Sequence, residues 1–173
     1  MLKFLFPLLL VCTGICFNLE SHADESQLII SREYQLKTAY LFHFSELTEW
    51  PVPSSVSICL HGNSPIRTYL PILNGQQINN AQVRIKIDNP IVVSECQIIF
   101  LSDLNALSAT VLEEAQKNHV LLVSDAPGFA AKGGMIEFTL RDNKLILVVN
   151  LVSVKQAGLK LSSKLLRMAE ILE

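Results

Sequence analysis

The segment CQIIFLSDLNALSATVLEEAQKNHVLLVSD, Cys96 to Asp125, decides the fold class. Its ends, CQIIFLSD and HVLLVSD, are apolar runs that both close on Ser-Asp. Between them Leu104, Leu107, Val111, Leu112 and Ala115 recur at helical spacing. Neither strand alternates apolar with polar residues, so the unit predicts a parallel pair buried on both faces, with the crossover helix covering one of them.

Upstream, Gln27 to Glu49 has a helical pattern, with Leu36, Tyr40, Phe44 and Leu47 at three- and four-residue steps. Pro51 and Pro53 end it near Trp50. VSICLHG reads as a short buried strand closed by Gly62, and SPIRTYLPIL as a short helix capped by Ser64 with Pro65 at its first position. AQVRIKID alternates Val83, Ile85 and Ile87 with Arg84, Lys86 and Asp88, the pattern of a half-exposed strand.

Downstream, MIEFTL and KLILVVN flank the polar RDNK and predict an antiparallel hairpin. The tail predicts a helical stretch stopped at Gly158, then a last helix capped by Ser162 or Ser163 that buries Leu165, Leu166, Ala169 and Leu172. The sum is an α/β single domain, a mixed sheet of about six strands with helices packed on its faces.

The chain begins with Lys3, an apolar run from Phe4 to Phe17 and then SHA, the plan of a secretory signal with cleavage after Ala23. The run is shorter than the roughly 20 residues a membrane helix needs. Val11 and Ile15 precede Cys12 and Cys16, where lipid attachment wants a small residue. Residues 1–23 are therefore expected to be a signal peptide and 24–173 one periplasmic domain, whose about 150 residues can bury a core. The balance of 14 basic against 16 acidic residues, with the basic ones scattered, argues against nucleic acid as a partner.

Removing the leader leaves Cys59 and Cys96, an even number that favours a disulfide in an oxidising compartment. The alternative is a metal pair with His61, although Cys-x-His lacks the usual ligand spacing.

SDAPGFAAKGGMIEFTL, Ser124 to Leu140, has the glycines and lysine of a phosphate-binding loop. Gly128 and Gly133 have the right separation, but Gly134 and Met135 follow where a lysine and a hydroxyl are required, and Lys132 precedes the second glycine. A turn with an exposed Phe129 and Lys132 is the simpler reading, and these two residues become candidate partner contacts. Ser102, Asp103, Ser124 and Asp125 lie at strand ends, where a ligand crevice forms in open α/β sheets.

No G-x-S-x-G elbow marks a nucleophile among the Ser-Asp pairs and His43, His61 or His119. His43 reads as a packed histidine between aromatics, and His119 as solvated. Glu113 and Glu114 are adjacent on a helix and face different directions. Lys155, Lys160, Lys164 and Arg167 read as a solvated face. No catalytic residue, metal or cofactor is assigned, and the chain is not read as an enzyme.

The ordered words LKTAYLFHFSELTEWP, ICLHG, CQIIFLSD, VLLVSDAPGFAAKGGMIEF, NKLILVVNL and AGLKLSSKLLRMAEIL together resemble the YfiR-like family of periplasmic proteins. The resemblance covers nearly the whole mature chain and implies regulation, not catalysis. By this resemblance the protein would bind the periplasmic domain of an inner-membrane diguanylate cyclase and keep cyclic di-GMP synthesis low, as the best-understood relative does, with loss of repression favouring biofilm over motility. The resemblance further implies an outer-membrane, peptidoglycan-associated lipoprotein that would sequester it under envelope stress. The resemblance also implies a homodimer and places Cys59 and Cys96 at a family disulfide. Some relatives carry a second cysteine pair around the Gly-Gly loop, where this chain has Ala130, Ala131, Ile136 and Glu137. A second reading is a periplasmic small-ligand module that signals to another membrane protein.

Overall fold

The computed structural model describes residues 20–51, 55–87, 90 and 92–172. The leader assigned to residues 1–23 thus falls almost wholly outside the described residues.

Helix α1 (Glu20–Leu47) leads into the two-residue strand β1 (Thr48–Glu49) just before Pro51. Its buried face is one step away from the one the apolar pattern suggests. Lys37, Thr38, Leu41, Phe44 and Ser45 face inward, whereas Leu36 is 46% exposed. A lysine holds this inner stripe because carboxylates meet it there, as described below. His43, expected to be packed, instead stands exposed beside Glu46, 2.9 Å away.

Strand β2 (Val56–His61) is followed by two short 3-10 turns, Pro65–Thr68 and Leu70–Leu73, where a single helix was expected. Ser64 caps the first as predicted, but Pro71 supplies no amide hydrogen to continue it. Strands β3 (Gln77–Ile78) and β4 (Ala81–Lys86) form a hairpin whose turn residues Asn79 and Asn80 both have positive φ, the mirror-image turn that suits the twist of paired strands.

The deciding segment folds as expected. Strand β5 (Ile98–Leu101), helix α2 (Ala109–Lys117) and strand β6 (Leu121–Ser124) form a parallel crossover unit, with Ile98 opposite Leu121 and Phe100 opposite Val123. Ser108 caps α2, its hydroxyl accepting from the Val111 amide. Every residue of β5 and β6 is buried, so the continuous apolar runs reflect a sheet covered on both sides.

Strands β7 (Ile136–Arg141) and β8 (Lys144–Asn150) make the predicted antiparallel hairpin through Asp142 and Asn143. Helix α3 (Leu151–Gln156) stops at Gly158, after which β9 (Lys160–Leu161) pairs with β1. Ser162 caps α4, but that helix covers only Ser163–Leu166. The chain then turns into strand β10 (Ala169–Leu172), parallel to β8, with Leu172 left 36% exposed. The long last helix is therefore corrected to one turn and a strand, because β8 would otherwise present an unpaired edge.

The main sheet has eight strands in the order β10-β8-β7-β6-β5-β2-β4-β3, two more than expected, and β1-β9 is a separate ribbon. The architecture remains a single α/β domain with a mixed sheet. Phe44 of α1 stacks on Phe138 of β7 at 5.8 Å between ring centroids, and Phe100 of β5 lies 6.4 Å from the same ring, joining helix to sheet.

Candidate functional site

Strand β4 lies on one side of β2, whereas β5 and β6 step away on the other. The order in which strands are added therefore reverses between β2 and β5, which run parallel, and at such a switch point the carboxyl ends of the strands leave a crevice. Gly62, just past β2, has φ +90°, and a Cβ there would sit 2.0 Å from the Ser102 hydroxyl beyond β5. Only glycine lets the two strand ends approach this closely.

Two depressions meet along this edge. The first is lined by His61, Gly62, Asn63, Ser102, Asp103 and Asn105. The second adds Asp125 and Pro127 from beyond β6, and Glu33, Tyr34 and Lys37 from α1. Ser102 and Asp103 belong to both, so the two form one open trough. Asp103 is fixed by accepting a hydrogen bond from the Asn105 amide at 2.8 Å.

Lys37 lies under the second depression with only 3% of its side chain exposed. Its ammonium donates to Asp125 at 2.6 Å, pairs with Glu33 one helical turn earlier and stands 4.4 Å from the centre of the Tyr34 ring. Burial by itself disfavours this charge, but the hydrogen bonds to Asp125 and Glu33 and their negative charges hold the pKa above the ordinary lysine value. Burial, reinforced by the Asp125 charge, likewise raises the Tyr34 phenol. Glu33, Lys37, Asp103 and Asp125 leave the trough with a surplus of negative charge.

Of the four crevice residues read from the sequence, Ser102, Asp103 and Asp125 line the trough and Ser124 does not. Ser124 is fully buried; its hydroxyl donates to the Leu101 carbonyl at 2.6 Å and accepts from the Ala126 amide at 3.0 Å. It ties β6 to β5. Sequence reading missed Glu33, Tyr34 and Lys37, for which the Glu-x-x-x-Lys spacing was the available signal.

Phe129 is a second correction. The exposed contact residue expected there is 0% exposed, with its ring packed on Gly134, where a Cβ would stand 2.2 Å from Cδ1 and Cε1. Lys132 alone of this pair is exposed. The loop that resembles a phosphate cradle does hold an anion, and it is the chain's own. The buried carboxylate of Glu137 accepts from the amides of Gly128 at 3.1 Å and Ala130 at 3.0 Å, and from the Thr139 hydroxyl at 3.1 Å.

Cys59 and Cys96 are joined in a disulfide with 6.0 Å between Cα atoms, linking β2 to the turn before β5. Among the described residues no His, Cys, Asp and Glu side chains cluster as a metal site, and no helix is long and apolar enough to cross a membrane.

No curated protein matches the chain. Among solved structures, an ABC domain from Streptococcus pneumonia, in complex with L-Trp, superposes with a TM-score of 0.51 at 12% identity. The match covers 76% of this chain and 59% of that one, a likeness of fold. The sequence itself matches a family model over residues 34–170, from the first buried turns of α1 to β10: the chain belongs to the YfiR/HmsC-like family.

Proposed function

We propose that this protein is a periplasmic regulator that binds the periplasmic domain of an inner-membrane diguanylate cyclase and holds cyclic di-GMP synthesis down. The observation that carries the reading is the family match across residues 34–170, which spans seven strands of the main sheet and reaches into the eighth, β10. The buried polar groups fit a scaffold: Ser124, Glu137 and Lys37 are each committed to partners within the chain. In this reading the protein acts as a homodimer, Lys132 belongs to the surface offered to the cyclase, and an outer-membrane, peptidoglycan-associated lipoprotein removes the regulator under stress.

The test is deletion of the gene with cyclic di-GMP measured in the cell, alongside crosslinked capture of the tagged, exported protein from membranes. The expected result is a raised level, and recovery of a membrane protein joining a periplasmic domain to a cytoplasmic cyclase domain. An unchanged level rejects the reading.

The trough at the ends of β2, β5 and β6 favours a second role, a small polar ligand that tunes the interaction. Its negative surplus suits a ligand bearing an ammonium group. Thermal-shift measurements with small amines against small dicarboxylates decide it: stabilisation by amines, lost in Asp103→Asn, is expected, whereas no shift with any amine rejects it.

A further inference from the structure

The end of the domain away from the trough carries charge of the opposite sign. The trough lies past the carboxyl ends of β5 and β6, whereas α3 and β9 sit at the amino end of β6, where Nδ1 of His119 is 2.8 Å from the Ala157 carbonyl oxygen. From Asn143 to Ala169 the sequence holds no aspartate or glutamate. It does hold Lys155 in α3, Lys160 in β9, Lys164 in α4 and Arg167 just past it, all exposed. None of these four makes an ion pair among the described residues.

The same elements leave an apolar margin uncovered. Helices α3 and α4 both pack against β10, the edge strand of the sheet. Leu172 of β10 pairs with Asn150, from which α3 starts, and Met168 stands just before the other end of the strand. Along this edge Val152, Met168, Ile171 and Leu172 are 48%, 47%, 37% and 36% exposed. Glu170, the acidic residue of β10, is taken by Arg141 through two hydrogen bonds of 2.6 Å. No carboxylate between Asn143 and Leu172 is therefore left to neutralise the cations.

We propose that this edge rests on an anionic lipid surface, the cations meeting headgroup phosphates and the four apolar side chains entering the interfacial layer. Exposed apolar groups beside lysine and arginine form an interfacial contact, and each cation near an anionic bilayer strengthens binding by about fivefold. Lysine ammoniums are hydrated point charges on flexible stems, which suits mobile headgroups better than the fixed carboxylates of an acidic protein. At headgroup depth the outer backbone groups of β10 keep water as a partner, so the edge lies there without entering hydrocarbon. With the basic end on the membrane, the acidic trough faces away from it. The inference goes beyond the regulatory reading and does not depend on it.

The test is co-sedimentation of the exported protein with vesicles of phosphatidylcholine alone and of equimolar phosphatidylcholine and phosphatidylglycerol. Binding only to the second, weakened by added salt, is expected. Lys155→Glu with Lys164→Glu should reduce it by about 25-fold or more. The control pair Arg32→Glu, Lys144→Glu changes the net charge equally beside the tip of the β7–β8 hairpin and should leave most of the binding in place. Val152→Ser with Met168→Ser should weaken binding by about tenfold at an unchanged melting temperature, because both positions are exposed. No binding to the anionic vesicles overturns the proposal and leaves the edge to an acidic protein. Equal loss in the control pair overturns it too, because net charge would then account for the binding. Displacement by inorganic phosphate at matched ionic strength would assign the cations to free phosphate instead of lipid. None of these outcomes touches the cyclic di-GMP measurement, so the two readings fail separately.

Discussion

Nζ of Lys37 stands 2.6 Å from Oδ2 of Asp125, a residue 88 positions further along the chain, and so ties α1 to the end of β6. Removing one partner of a buried pair leaves the other charge without compensation. Asp125→Asn should cost about 3 kcal/mol, the low end of such losses because Glu33 still neutralises the ammonium. Urea midpoints for Asp125→Asn and for an exposed control, Asp142→Asn, measure it. Equal midpoints would mean the pair adds nothing to stability.

The same lysine predicts a dependence on pH. Its folded pKa is raised above the unfolded value, so the stabilisation is complete below about 10.4 and is lost as pH rises through the higher folded value. Melting temperature should fall more steeply in that alkaline range for the wild type than for Lys37→Met. Parallel curves would assign the alkaline loss to other groups.

Phe129→Asp should prevent folding, because it places a charge in a fully buried site against Gly134. Phe129→Ala tests the packing more gently and should cost about 4 kcal/mol. Circular dichroism and the denaturant midpoint of the alanine variant report this; a cost near zero would mean the ring is dispensable.

Glu137→Ala removes the acceptor for the Gly128 and Ala130 amides and should cost about 2 kcal/mol. The loss should be concentrated in the loop from Pro127 to Gly134. Hydrogen exchange should therefore accelerate there before it does in β5 or β6, and uniform acceleration would assign Glu137 a global role.

The disulfide closes a loop with a sequence separation of 37, which the chain-entropy model values at about 4 kcal/mol. The Cys59→Ser, Cys96→Ser protein should lose about that much stability, and thiol labelling of the folded wild type should find both cysteines unreactive. Labelling of both would show that the bond does not form.

Legibility from sequence followed the range of the forces involved. The β5-α2-β6 unit, the β7–β8 hairpin and the stop at Gly158 were readable because period, turn residues and caps act over a few positions. The last strand was not. Leu165, Leu166, Ala169 and Leu172 have helical spacing, yet the free edge of β8 captures the final residues, and that edge exists only once the sheet is assembled. Phe129 was misplaced for a similar reason. A phenylalanine among glycines reads as an exposed loop residue until Gly134 is seen to clear the space it fills.

By itself, then, the sequence determined the class of fold, the parallel crossover, the cysteine pair and the family, since each is written in local pattern or in ordered words. The tertiary structure alone decided which charges meet. Lys37 joins Asp125, and Glu137 turns its carboxylate onto the amides of its own loop, because burial removes the competing water and leaves each charge only the partners that the packed chain brings within reach.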